Sequence, residues 1–194
     1  MIPNIITCFR VALIFPILYF ILRTPEGCIV AAVLFSAAAV TDALDGQAAR
    51  RLNQSSVFGG MFDLVADRVL MMPTLIVMTA LGAFDATRGL FPPGPYAYAA
   101  VVLSGDVTVL AGVYMFARLR RRDPGVEFPA PTPLAKAAYP AQVATIVAAL
   151  VGLAPAVVAA LMYAAAALTI LGFVTYMRKG GFVFTRSARG TGSG

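Results

Sequence analysis

The chain has 194 residues, 60% of them hydrophobic and only 12% charged, with a net charge of +6 and a mean hydropathy of +0.84. Soluble domains run nearer half apolar, so this composition excludes an ordinary water-soluble globule and points to a membrane protein. Histidine is absent, which removes Ser-His-Asp and Cys-His catalysis and imidazole metal sites, and the isolated Cys8 and Cys28 form neither a disulfide framework nor a CxxC pair.

A helix needs roughly 20 apolar residues to cross about 30 Å of hydrocarbon. Six stretches qualify, at about 4–22, 28–48, 57–83, 95–118, 133–152 and 155–177. They predict an all-α integral membrane protein, a six-transmembrane-helix bundle forming one domain over 1–180 with a flexible tail over 181–194. The first apolar run is followed by others, so it reads as a span and not as a cleavable signal peptide. Asn4 after Pro3 reads as the cap of the first helix, and Pro155 suits the first turn of the last. Tyr96, Tyr98 and Tyr114 fit an interfacial belt, and the alanines and glycines of spans two, five and six suit close helix packing.

Lysines and arginines orient the bundle. Arg10, Arg50, Arg51, Arg68, Arg118, Arg120, Arg121, Arg122, Lys136, Arg178, Lys179, Arg186 and Arg189 fall on the side of the N-terminus, and only Arg23 and Arg88 fall opposite. That asymmetry predicts both termini in the cytoplasm of a bacterial-type inner membrane or its equivalent.

Four of the nine acidic residues lie in TDALDGQAARRLNQSSVFGGMFDLVADR, residues 41–68, at the cytoplasmic end of spans two and three. An ionised carboxylate within a bilayer costs roughly 2.5–3.5 kcal/mol even on lenient insertion scales. Asp42 and Asp45 are three apart and share a helical face with Gly46 and Ala49. Asp63 and Asp67 are four apart and share a face with Gly59. Two helices joined by a short turn aim all four at one point, where their mutual repulsion calls for cations. Carboxylate oxygens suit hard ions such as Mg²⁺ or Mn²⁺, and two ions roughly 4 Å apart form the usual clamp for in-line displacement at phosphorus. Arg50 is placed to pair with a phosphate. The residues alone leave two rivals. One is a set of helix-end ion pairs with Arg50, Arg51 and Arg68. The other is a cation- or proton-coupled transporter, although transporter sites usually sit near midplane within duplicated halves.

The run Asp42-xx-Asp45-Gly46-xx-Ala49-Arg50, eight residues, Gly59-xxx-Asp63-xxx-Asp67 resembles, position for position, the signature of the CDP-alcohol phosphatidyltransferases. Ile2-Pro3-Asn4-Ile5-Ile6-Thr7 with Arg10, and Lys136 with Gln142, resemble the cardiolipin synthase and phosphatidylglycerophosphate synthase branch. The resemblance implies a six-helix homodimer with its active site at the cytoplasmic face. It implies two metal ions held by Asp42, Asp45 and Asp63, with Asp67 as a further ligand and the base. Gly46, Ala49, Arg50 and Gly59 would shape the CDP site. The implied reaction is attack by an acceptor hydroxyl on the lipid-linked phosphorus of CDP-diacylglycerol, releasing CMP, without nucleic acid. The acceptor is expected to be phosphatidylglycerol or glycerol 3-phosphate, with inositol phosphate or another alcohol as the alternative.

Several residues depart from the family's common pattern. Leu64 stands where relatives often have Pro, Arg68 where many have Lys, and Gly105 where the cardiolipin synthase type often has Arg before Asp106. Ala138 and Tyr139 replace residues that are commonly polar. Asp106, within span four, either shapes the acceptor pocket or pairs with an arginine. The run Arg118, Arg120, Arg121 and Arg122 reads first as a topological anchor. In the sharper reading one or two of these, with Lys136, bind an anionic acceptor or a lipid phosphate, and Arg10 carries the same two readings.

Overall fold

The computed structural model describes residues 2–23, 27–51, 57–122 and 133–190, with side chains at 11–23, 28–41, 64–120, 133–175, 177 and 178. Among the described residues six helices follow one another: α1 (Ile2–Arg23), α2 (Gly27–Arg51), α3 (Val57–Ala80), α4 (Gly94–Arg122), α5 (Pro133–Leu150) and α6 (Pro155–Gly190), with a 3₁₀ turn at Asp85–Thr87. No strand occurs among the described residues.

The helices run where the apolar stretches predict them, with differences at the ends. α1 begins at Ile2, ahead of Asn4, so Asn4 is not its cap and Pro3 sits in the first turn, where a missing N–H costs nothing. α6 continues to Gly190, through part of the segment expected as a tail. No proline follows Pro155 to stop it. Pro16, Pro73 and Pro140 lie inside α1, α3 and α5. Neighbouring helices commonly absorb such interruptions in membrane bundles.

Glycine ends two of the helices. Gly82 has φ 74°, and the N–H groups of Gly82 and Ala83 donate to the carbonyls of Thr79 and Met78. Gly152, also at φ 74°, repeats the arrangement after α5, with Gly152 and Leu153 donating to Ala149 and Ala148. Both are the six-to-one, five-to-two closure of a helix by a left-handed residue that only glycine adopts freely.

The packing runs in a ring: α1 on α2, α2 on α5, α5 on α6, α6 on α4, α4 on α3, and α3 back on α1. Ile17, Phe35, Leu70, Leu75, Ile146 and Met162 fill the interior. Tyr98 is fully buried, T-shaped against Phe84 and Phe91, and so belongs to this core and not to the interfacial belt expected for it. Tyr96 and Tyr114 are exposed. Small residues do permit close approach: the Gly172 backbone on α6 meets that of Ala135 on α5. Outside the ring, large apolar side chains such as Phe15, Val33, Ile76, Val107 and Ile170 are exposed on five helices, an outer surface suited to lipid. Among the described residues, Gly94–Arg120 and Pro155–Thr175 are long and apolar enough to cross a membrane.

Candidate active site

A cavity of about 220 Å³ opens between α3, α4, α5 and α6. It lies where polar residues, Asp67, Asp106, Gln142 and Thr169, interrupt the inward stripes of these helices. On α3 the buried positions Asp67, Met71, Thr74 and Met78 recur at helical spacing. The same holds for Tyr98, Val102 and Asp106 on α4, for Ala138, Gln142 and Ile146 on α5, and for Val158, Met162, Ala165 and Thr169 on α6. The apolar members fix the rotation of each helix, and that rotation carries the polar members inward.

Arg68 Nη1 donates to Asp106 Oδ1 at 2.6 Å, with both side chains buried. The guanidinium carbon lies 5.4 Å from the centre of the Tyr139 ring, within cation–π range. Removing one member of a buried pair leaves an uncompensated charge, at a cost of roughly 3–5 kcal/mol. The pair therefore ties α3 to α4. A second polar link ties α5 to α6: Gln142 Nε2 donates to Thr169 Oγ1 at 2.9 Å, and that hydroxyl donates to the Ala165 carbonyl at 2.7 Å. Lys136 lines the same cavity from an exposed position on α5. α4 can approach α6 here only because residue 105 is glycine, since a Cβ there would meet Thr169 Cγ2 at 2.6 Å.

The structure thus brings together Asp67, Asp106 and Lys136 of the residues singled out in the sequence. Asp106 pairs with an arginine, one of the two alternatives offered for it, and it also lines the cavity. Arg118 and Arg120 are not among the lining residues. Their guanidinium carbons lie 5.2 Å from the Tyr114 ring and 5.9 Å from the Phe116 ring. Asp42, Asp45, Gly46, Ala49 and Arg50 fall on α2, Gly59 and Asp63 on α3, Arg10 on α1 and Arg121 on α4, and their side chains lie outside the described residues. Sequence reasoning missed Arg68 and Thr169 as site residues. Each is polar within an apolar helical stretch, and that was the available signal.

The sequence profile of the CDP-alcohol phosphatidyltransferases matches residues 1–171. The chain belongs to the CDP-alcohol phosphatidyltransferase family. This family is membrane-embedded and generally dependent on divalent metal, and it joins CDP-alcohol donors to alcohol acceptors. Similar curated relatives are the CDP-diacylglycerol–glycerol-3-phosphate 3-phosphatidyltransferases of Escherichia coli strain K12, Shigella flexneri serotype 5b and Shigella sonnei, each 47% identical over 79 residues. The matched segment is 40% of this chain and 43% of each relative, so the likeness spans less than half of the relatives' length.

The residues present fit a divalent metal by the chemistry of their donors. All four signature side chains are carboxylates, and neither cysteine nor histidine accompanies them in residues 41–68. Among the described residues, no three acidic or thiol side chains converge. Asp67, the one signature carboxylate whose side chain is described, is buried and lines the cavity.

Proposed function

We propose that this phosphatidyltransferase moves the phosphatidyl group of CDP-diacylglycerol to a hydroxyl of a glycerol-based acceptor, glycerol 3-phosphate first and phosphatidylglycerol second, releasing CMP. One observation carries the proposal: the last aspartate of the complete eight-position signature lies on a cavity that also holds a lysine and an arginine. The activity for which the similar relatives are named favours glycerol 3-phosphate.

Asp42, Asp45 and Asp63, with Asp67, would hold two Mg²⁺ or Mn²⁺ ions. Bound there, such ions would neutralise phosphate charge and polarise the phosphorus. Asp67 takes the proton of the acceptor hydroxyl, in a chain that has no histidine to do so. The acceptor oxygen bonds to the lipid-linked phosphorus as the bond from that phosphorus to the CMP oxygen breaks, and CMP leaves with the electron pair. Gly46, Ala49, Arg50 and Gly59 shape the cytidine diphosphate site, and Lys136 draws the anionic acceptor in. Such chemistry rests on positioning and charge neutralisation more than on a covalent nucleophile. Six membrane spans, a cytoplasmic active-site face and a homodimer complete the proposal.

Purified protein is incubated in detergent with CDP-diacylglycerol, Mg²⁺ or Mn²⁺ and, separately, glycerol 3-phosphate, phosphatidylglycerol and inositol phosphate. CMP and phosphatidylglycerophosphate are expected with the first acceptor. CMP release with none of them would overturn the reading and favour a transporter.

A further inference from the structure

Arg68 is the one buried cation among the described residues, and it is only 8% exposed. Its guanidinium offers five N–H donors in one plane. Nη1 is committed to Asp106, and one face is covered by Tyr139. Nε has no hydrogen-bond partner among the described residues. A buried donor left unmade is costly, and more so on a charged group. The Nε–Nη2 edge is the planar fork that takes two oxygens of a phosphate side by side. Arg68 lines the same cavity as Asp67, its neighbour in sequence. Asp106 cancels the net charge of Arg68, so the fork acts by directed donors, and Lys136 on the same cavity supplies the net positive charge.

We infer that the Nε–Nη2 edge of Arg68 recognises the phosphate of the acceptor, with Asp106 and Tyr139 as positioning residues that hold the guanidinium plane. The inference rests on the transferase reading and assigns the anion-binding role to Arg68 ahead of Arg118 and Arg120, which lie away from the cavity lining. The phosphate is either the free monoester of glycerol 3-phosphate or the diester of phosphatidylglycerol.

Arg68→Lys keeps the charge and a donor for Asp106 but loses the fork. KM values are measured for both substrates in two arms, one with glycerol 3-phosphate and one with phosphatidylglycerol. In the arm that the wild type uses, the acceptor KM is expected to rise roughly ten- to a hundredfold, while the CDP-diacylglycerol KM stays within about twofold. The arm that responds identifies the source of the phosphate. Tyr139→Leu, which removes the ring, is expected to raise the acceptor KM. An unchanged acceptor KM in folded Arg68→Lys overturns the inference, as does a rise confined to CDP-diacylglycerol. If Arg68→Lys does not fold, Tyr139→Leu decides in the same way, and an unchanged acceptor KM there overturns it. Wild-type protein that releases no CMP in either arm overturns the transferase reading itself, a distinct result.

Discussion

Gly105→Ala is expected to destabilise the protein, although alanine is the better helix former. Replacing glycine inside a helix ordinarily gains about 0.5–1 kcal/mol. Here the new Cβ would stand 2.6 Å from Thr169 Cγ2, where carbon atoms normally rest about 3.5–4.0 Å apart. Roughly 1 Å of room is missing. It has two sources, and both are costly. If α4 and α6 separate, the Gly105–Thr169 contact opens, and strain of this kind in a packed interior costs about 1–3 kcal/mol. If Thr169 rotates instead, its hydroxyl leaves Gln142 and the Ala165 carbonyl, and a hydrogen bond is worth about 1 kcal/mol. Overpacking wins over propensity by about 1–2 kcal/mol, which for a chain of this size lowers Tm by roughly 2–8 °C.

The assay is thermal unfolding in detergent, run as a double-mutant cycle with Thr169→Ser. That change removes the very methyl in the way and keeps the hydroxyl, so Gly105→Ala is expected to cost much less in the serine background. Gly89→Ala, where no atom lies within 4 Å of the added Cβ, serves as the control and should leave Tm nearly unchanged. A Gly105→Ala protein as stable as wild type, or an equal loss in the serine background, would refute the steric reasoning.

Asp67→Asn keeps the size and one oxygen ligand but loses basicity, so kcat at saturating metal is expected to fall by roughly 10²–10⁴ with far less change in CDP-diacylglycerol binding. Near-wild-type turnover would remove Asp67 from the base role. Exhaustive chelation should abolish CMP release, with Mg²⁺ or Mn²⁺ restoring it, and activity that survives chelation would sink the metal reading. Single cysteines near Arg88 and near Arg186, in a background lacking Cys8 and Cys28, should be labelled from opposite sides of the membrane. Labelling from the same side would defeat the six-span topology.

Most of the fold was legible because a bilayer leaves the backbone few choices. Each apolar stretch must satisfy its own N–H and C=O groups as a helix, so stretch boundaries and helix boundaries nearly coincide from α2 to α5. Length and hydropathy say nothing of which way a helix is turned or which neighbour it meets. Tyr98 shows the loss: near a span end it reads as a belt residue, yet the ring of helices turns it between Phe84 and Phe91. The ends of α1 and α6 were misjudged for a related reason. Caps and breakers mark where a helix is encouraged to stop, and nothing at Asn4 or beyond Arg178 compelled it to.

The site divides along the same line. The family signature was legible because its spacing is written within one or two turns of helix, and of its four aspartates Asp67 is the one whose side chain the structure describes, on the cavity. Arg68 was not, because its meaning depends on Asp106, thirty-eight residues away on α4, and on Tyr139 on α5. In the sequence, Arg68 counts as one more cytoplasmic positive charge, like Arg118 or Arg120. The fold separates them. Arg118 is exposed at the end of α4, while Arg68 is enclosed by a carboxylate and a ring beside the cavity. A buried cation is costly unless it is paired, and Arg68 is paired on one side only. Its Nε has no partner among the described residues, and Arg68 lines the cavity that Asp67 also lines. A family signature announces itself by local spacing, whereas the group proposed to choose the acceptor is assembled from three helices and becomes visible only when they pack.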